Sequence, residues 1–485
     1  MNLDELKALE KAARQLEPSP NQREGWNRAV HAYSHAFLDS LQERNAYDAP
    51  AVEDGLFAVY PEEGRPMEEL LAQLEQWVDR QGINPASGRH LGYVPGGGVY
   101  ATALGDYLAA ATNRYAGINF ASPGAVKMEN ELIRWMCRLA GFPPNSLGNL
   151  TSGGSIANLI AITTARDALG VRAERVSKSV IYLTRQVHHC VQKALRIAGL
   201  AEAPIRYIDM DRQFRIRPDA LEQQIRTDRA AGLTPFLLVA SAGTTDTGAI
   251  DPLQDLAAIA RAEGMWYHVD AAYGGFFLLS EKLRPLLQGI AQADSIVMDP
   301  HKGLFLSYGI GAVLIKDIKA QYRSYHYQAN YMQDAALESG EPSPADLSPE
   351  LTKHFRGLRM WLPLQLLGAR PFKAAIEEKA LLCRYFFHRA QEMGFETGPE
   401  PALSIMIFRH PGSEQLPAEQ ANPALIRKIW EDGQFFLSST QIGGEYWIRL
   451  AVLSFRTHLQ EIEALLLKLQ QLCKELGLPI AQEKR

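Results

Sequence analysis

The sequence predicts an α/β fold: a mostly parallel sheet flanked by helices, with a helical N-terminal segment and a small C-terminal α+β domain. Three observations predict it. From about residue 126 to 320, short apolar runs rich in β-branched residues alternate with helical segments, the pattern of strand–helix units in a sheet covered on both faces. The first ninety residues carry apolar stripes at helical spacing instead. At 485 residues the chain is too long for one ordinary core, so two or three domains are expected. The divisions fall at residues 1–90, 91–375 and 376–485.

The elements follow in order. Ser19-Pro20 is a helix-start signal, a capping hydroxyl followed by a proline whose missing N–H costs nothing at the first helical position. Trp26, Val30, Tyr33, Ala36, Phe37 and Leu41 then form one stripe, and Leu70, Leu71, Leu74 and Trp77 a second. Helices this amphipathic need a cover, either a partner subunit or the chain's own body. Val126–Ala140 reads as a helix ended by Gly141, and Ile156–Leu169 as another. The strands expected are Val180–Leu183, Phe236–Ser241, Trp266–Val269, Ser295–Met298 and Ala312–Ile315. The run Glu338–Glu350, rich in Pro, Ser and acid, reads as a mobile loop. Short strands near Ser404–Phe408 and Tyr446–Val452 and a last helix from about His458 to Leu476 make the C-terminal part.

Charge and composition narrow the function. The net charge of -5, with no long Lys/Arg run, argues against a nucleic-acid partner. The four cysteines, Cys137, Cys190, Cys383 and Cys473, are scattered and form no C-x-x-C pair, which suits a reducing compartment. The N-terminus has no apolar signal-peptide core, and no apolar stretch reaches the roughly 18 residues of a membrane span. A cytoplasmic protein is expected.

In parallel sheets the ligand sits beyond the carboxyl ends of the strands, so the residues just after each strand are the ones to inspect. Leu150-Thr151-Ser152-Gly153-Gly154-Ser155 leads directly into a helix, whose free N–H groups and dipole favour an anion; such a segment is also, commonly, a plain turn. Asp270 ends an apolar strand and is followed by the small residues Ala271 and Ala272, which leave room for a flat ring; a helix cap is the simpler role. Lys302 follows another strand, between His301 and Gly303. Burial and cationic neighbours there would lower its pKa toward the nucleophilic amine, although most loop lysines are surface residues. His188, after the strand ending at Leu183, could stack on an aromatic ligand or simply cap a helix. Together, in this order, these groups match one cofactor. Pyridoxal phosphate needs an anion cradle, a carboxylate for its ring nitrogen, a lysine for its aldehyde and a group against its ring.

The segments TSGGSIANL, VHHCV, SAGTTDTGAIDPL, HVDAAYGG and MDPHKG resemble the group II pyridoxal-phosphate decarboxylases, the family of aromatic-L-amino-acid, histidine and glutamate decarboxylases. The resemblance runs from about Leu3 to the end, with SGRHLGYVPGGG, FASPGAVKMENELIRWM and RGLRMWLPLQLLG as further matching segments. It implies a type I, aminotransferase-like fold working as a homodimer with sites at the subunit interface. The N-terminal helices would wrap the partner, and residues 91–375 would be the cofactor-binding domain. It also implies a Schiff base on Lys302, Asp270 against the ring nitrogen and His188 on the ring face. Gly154 and Ser155 would hold the phosphate with His301 nearby, and Thr244 and Ala272 would lie against the ring region. The reaction implied is loss of carbon dioxide from an L-amino acid to leave the amine, with aromatic amino acids as the leading substrate class.

Two departures bear on the chemistry. The family's mobile loop usually carries a tyrosine thought to protonate Cα. Between Gln333 and Lys353 this chain has no aromatic residue, and the nearest upstream tyrosine is Tyr331. Tyr331 or His301 would then serve, or protonation is done differently. Relatives lacking that tyrosine can shift to oxygen-dependent aldehyde formation, so an aldehyde synthase or another carbon–carbon lyase is the alternative. Ser87 and His90 also depart from the family's substrate-side pattern. A zinc hydrolase built on His188, His189, His268 and Cys190 is disfavoured, because their spacing fits no helix-borne or C-x-x-C metal site.

Overall fold

The computed structural model describes residues 2–51, 56–57, 61–94, 96–327 and 341–481. Its centre is a seven-stranded sheet of β1 (Leu147–Thr151), β2 (Ser179–Leu183), β3 (Ile205–Tyr207), β4 (Thr234–Ser241), β5 (Trp266–Asp270), β6 (Ser295–Met298) and β7 (Gly311–Ile315). The spatial order is β1-β7-β6-β5-β4-β2-β3. The pairs β6–β5, β5–β4, β4–β2 and β2–β3 are parallel, and β7 runs antiparallel to both β6 and β1. The sheet is thus mostly parallel, with one reversed strand that brings the chain back from the carboxyl end of β6. All five residues of β1, β2, β5 and β7 are buried, as expected of strands covered on both faces.

The sequence pattern missed β1 and β3. In β1 the run Leu-Gly-Asn-Leu-Thr has weak strand propensity. It is held instead by long-range contacts: the Asn149 amide donates to the Pro344 carbonyl and accepts from Gln321. A Cβ on Gly148 would collide with the Val313 carbonyl of the neighbouring strand, so the close pairing itself requires glycine.

The N-terminal segment forms helices Leu3–Ala13 and Pro20–Asp39, the second starting at the Ser19-Pro20 signal. Ser19 and Gln22 complete a reciprocal capping box, Gln22 N–H donating to Ser19 Oγ at 3.3 Å and Ser19 N–H to Gln22 Oε1 at 2.9 Å. Neither helix has a buried residue, and Leu3, Leu6, Leu9, Leu16 and Trp26 stand exposed. At the other end, a four-stranded antiparallel sheet is built from Glu396–Thr397, Ile405–Arg409, Ser438–Ile442 and Glu445–Ala451. The helix Ala369–Glu392 joins it to the main body. Phe372, Ile376 and Ala380 pack in the central core, whereas Cys383, Phe386 and Ala390 pack in a second core with Phe408, Leu425 and Leu465.

The described part of the segment 338–350 is a loop with one short turn at Pro344–Leu347, and it is anchored. Residues 338–340 and Tyr331 lie outside the described residues; 341–350 do not form a free loop. Glu341 is gripped by three side chains of the helix Pro123–Ala140: Lys127 at 2.6 Å, Arg134 at 2.6 Å and Asn130 at 3.0 Å. Burial pushes its carboxyl up, but these donors outweigh it and hold the pKa down at about 2. Leu347 is fully buried. Polar composition suggested mobility because it does not show which charges will find partners.

The same helix anchors the next stretch. Glu129 and Lys353 form an ion pair at 2.5 Å with both side chains out of water, and Glu129 also accepts the Gly357 N–H at 2.9 Å. Lys353→Met is expected to destabilise the fold by about 3–5 kcal/mol, because the Glu129 charge stays buried with one donor left. Chemical denaturation of the purified variant measures this, and a loss below about 1 kcal/mol, the value of an exposed pair, would contradict it.

Candidate active site

A cleft of about 410 Å³ opens at the carboxyl ends of the parallel strands. Gly154, Ser155, His188, Thr244, Asp270, Ala272, His301 and Lys302 all line it. They arrive from the ends of five strands, β1, β2, β4, β5 and β6, or the turns after them, which is why residues from Gly154 to Lys302 converge. Tyr331 is outside the described residues.

After β1 the chain turns through Ser152 and Gly153 into the helix Gly154–Ala168, whose first turn has no side-chain cap. Its free N–H groups and positive dipole end face the cleft. Glycine at 154 lets Asp299 approach closely: a Cβ there would lie 2.9 Å from Asp299 Oδ2. From β2, His188 is fixed by its own backbone, its Nδ1 accepting the Cys190 N–H at 3.3 Å. The proton of the neutral ring is then on Nε2. Burial lowers the His188 pKa, with Asp270 opposing. Thr244, after β4, is buried; its hydroxyl accepts the Ala249 N–H at 3.1 Å and bonds Thr247 at 2.9 Å.

Asp270 is the last residue of β5. Its Oδ1 accepts the Ala272 N–H at 3.1 Å and its Oδ2 an N–H of Asn158 at 3.3 Å. Lys302 lies in the single turn after β6, its Nζ 3.0 Å from Asp299 Oδ2. The expected lowering of its pKa is reversed. Burial does pull it down, but the Asp299 and Asp270 carboxylates outweigh this and raise it above the ordinary lysine value. The neighbours that the fold supplies are anionic, not cationic. His301 is buried and donates from Nδ1 to the Ile310 carbonyl, which leaves Nε2 unprotonated, 3.8 Å from Asp299 Oδ2. Burial lowers its pKa too.

Asp299 and Asn158 lie in the segments MDPHKG and TSGGSIANL, but the sequence assigned neither a role. Asp299 sits one helical turn before Lys302, and Asn158 one turn after Gly154; those two spacings were the available signal. Asp299 Oδ1 is buried without a hydrogen-bond partner among the described residues. It is wedged where a Cβ on Gly311 would approach to 2.6 Å. His188, His189, Cys190 and His268 do not assemble as metal ligands, and among the described residues no cluster of three or more His, Cys, Asp or Glu could hold a metal ion.

These groups fit pyridoxal phosphate. The uncapped helix start and the Ser155 hydroxyl suit a phosphate, glycines keep the backbone open there, an amine stands beside the cradle, and a carboxylate with both oxygens fixed faces the same space.

Comparison with known proteins agrees with this geometry. Residues 53–410 match the sequence model of the pyridoxal-dependent decarboxylase conserved domain. The chain is 33% identical over 448 residues to an aromatic-L-amino-acid decarboxylase of Bacillus atrophaeus, covering 91% of this chain and 92% of that one. It is 28% identical to a phenylacetaldehyde synthase of Arabidopsis thaliana, over 74% of this chain and 76% of that one. The crystal structure of Oryza sativa TDC with PLP and tryptamine superposes with a TM-score of 0.88 at 24% identity, covering 95% of this chain and 99% of that one, and so shares the type I fold. The chain belongs to the group II pyridoxal-phosphate decarboxylases, and its chemistry is the cofactor-dependent removal of carbon dioxide from an amino acid.

Proposed function

We propose that the chain decarboxylates an aromatic L-amino acid to its amine, with Lys302 as the residue that carries the cofactor. The observation behind this reading is the convergence of Lys302, Asp270, His188 and the helix start at Gly154–Ser155 on one cleft. The similarity to the Bacillus decarboxylase over nearly the whole of both chains supports the aromatic class. So does a second cavity of about 360 Å³ lined in part by Phe37, Val78, Ile83, Pro85 and Leu306, which shares Tyr308 with the cleft and could take an apolar side chain.

When bound, pyridoxal phosphate supplies the electron sink for the pair released as the carboxylate leaves. The first turn of Gly154–Ala168, with the Ser155 hydroxyl, would hold the phosphate, with His301 nearby. Asp270 would keep the ring nitrogen protonated. His188 would lie on the ring face, with Ala272 and Thr244 against the ring region. Lys302 supplies the amine that binds the aldehyde, and Asp299, 3.0 Å away, takes or returns the proton of that amine. Protonation of the substrate carbon falls to Tyr331, to His301 once its Nε2 has taken up a proton, or to another group.

The enzyme works as a homodimer with sites at the interface. Residues 1–90 form the arm that wraps the partner, 91–375 the cofactor-binding domain and 376–485 the small domain. The exposed apolar stripe of the first two helices supports the arm. A cytoplasmic location is in keeping with four free, buried cysteines; among the described residues no helix is long and apolar enough to cross a membrane.

One observation favours a second reading. The stretch 334–352 carries no aromatic residue, and an aldehyde synthase is among the relatives. In that reading oxygen and water are consumed, and the aldehyde, carbon dioxide, ammonia and hydrogen peroxide are released. A carbon dioxide release screen over the twenty amino acids, with peroxide and ammonia measured in the same wells, tests both. Carbon dioxide with equimolar amine from the aromatic substrates is expected. Stoichiometric peroxide would transfer the chain to the second reading, and release only from non-aromatic substrates would reject the substrate class.

A further inference from the structure

Behind Asp270 lies a line of buried polar groups that the chemistry above does not use. His268 precedes Asp270 by two residues on β5, so both side chains emerge on the same face of the sheet. His268 is fully buried, with Nε2 2.8 Å from Asn158 Oδ1 and Nδ1 2.8 Å from Ser295 Oγ on the adjacent strand β6. Trp266 Nε1 lies 2.9 Å from the same hydroxyl. Asn158 Nδ2 lies 2.9 Å from the Gly154 carbonyl and 3.3 Å from Asp270 Oδ2.

Donor chemistry fixes the direction of every link. The Gly154 carbonyl and the Asp270 carboxylate only accept, so the Asn158 nitrogen must face them and its oxygen must face His268. That oxygen only accepts, so His268 carries a proton on Nε2. Burial drives the His268 pKa down to about 4, against the pull of Asp270, so the ring is neutral and Nδ1 is an acceptor. Ser295 therefore donates to Nδ1 while it accepts from the indole of Trp266, which can only donate.

We propose that Asn158 and His268 are positioning residues in a one-way hydrogen-bond relay, Trp266 to Ser295 to His268 to Asn158 to Asp270, that holds Asp270 as the charged acceptor for the cofactor's ring nitrogen. The proposal rests on the role given to Asp270 above. Hydrogen bonds in series polarise one another, and a carboxylate that accepts from protein donors on both oxygens is favoured in its charged form. With Asn158 on Oδ2 and the Ala272 N–H on Oδ1, each oxygen keeps acceptor capacity, and Asp270 lines the cleft where the ring nitrogen would lie. A proton shared there stays with the ring nitrogen. Because the same Asn158 nitrogen donates to Gly154 O, the phosphate end and the ring-nitrogen end of the cleft are tied by one side chain.

The test uses the holoenzyme, reconstituted with cofactor labelled with ¹⁵N in its ring and produced with ¹⁵N-histidine. The expected spectrum shows His268 as the neutral Nε2–H tautomer and the ring nitrogen protonated. In His268→Gln an N–H still reaches Asn158; in His268→Phe the ring shape remains without a donor. The Phe variant is expected to shift the ring nitrogen toward its unprotonated signal and to lower kcat about tenfold with KM little changed, while the Gln variant restores both. Equal ring-nitrogen signals in the two variants, with only thermal stability lost, would overturn the relay. Should neither variant fold, the wild-type spectrum decides, because an Nδ1–H tautomer or a charged His268 is incompatible with the chain of donors. An unprotonated ring nitrogen in the wild type would instead remove the role of Asp270 itself, and with it the basis of the relay.

Discussion

Lys302→Ala is expected to abolish the visible absorption band that lysine-bound cofactor gives the purified enzyme, and to lower turnover by about 10³-fold or more, on the order of 4 kcal/mol of barrier. Covalent attachment begins with a neutral amine. In the cofactor-free chain Lys302 is instead held charged, its pKa raised by Asp299 and Asp270. The proton has an acceptor in place, Asp299 Oδ2 at 3.0 Å, so the carboxylate that stabilises the charged lysine is also the group that can relieve it of its proton. Lys302→Arg separates charge from nucleophilicity. It keeps a cation beside Asp299 but stays protonated at any working pH, so the band should be lost there as well. Absorbance spectra of both variants after incubation with excess cofactor make the measurement. Survival of the band in either one would move the attachment point away from Lys302.

Much of this site was legible because each of its parts follows a strand, and fully buried strands announce themselves as short apolar runs. Phe236–Ser241 and Ser295–Met298 were readable for that reason, and so were Asp270 at the end of one strand and Lys302 just beyond another. What escaped was set by contacts distant in sequence. Leu147–Thr151 is a strand because Asn149 finds Pro344 and Gln321, not because of its composition. The segment 341–350 is a loop as read, but its anchoring was not legible, because Glu341 meets Lys127 and Arg134, more than 200 positions away. The sign of the Lys302 shift was misjudged because a lysine's neighbours are a property of the fold. Asp299 and Asn158 were within reach, since one helical turn from a singled-out residue is a spacing that sequence alone supplies. The resemblance named the cofactor and the cleft, but the substrate pocket and Tyr331 carry no comparable sequence signal.

Asp270→Asn is the sharper probe of the chemistry, because it should separate cofactor binding from turnover. The substitution keeps the shape of the side chain but breaks its pattern of acceptors. Asp270 accepts on both oxygens, from Ala272 N–H and from Asn158. An amide in its place must turn its own NH₂ toward one of these donors or present it to the ring nitrogen. Neither arrangement leaves a negative charge to keep that nitrogen protonated, and without the proton the ring is a weak sink for the electrons of the departing carboxylate. Turnover is expected to fall by about 10³-fold, while Lys302 still binds the aldehyde and the visible band persists. Asp270→Glu retains the charge but displaces it by one methylene, so an intermediate loss is expected if charge matters more than placement. Single-turnover carbon dioxide release and the absorbance spectrum, measured on the same preparations, give the two readouts. Near-normal turnover in Asp270→Asn would reject the role of this carboxylate. Loss of the band together with turnover would instead make Asp270 a residue of cofactor retention, with the electron-sink argument resting on some other group.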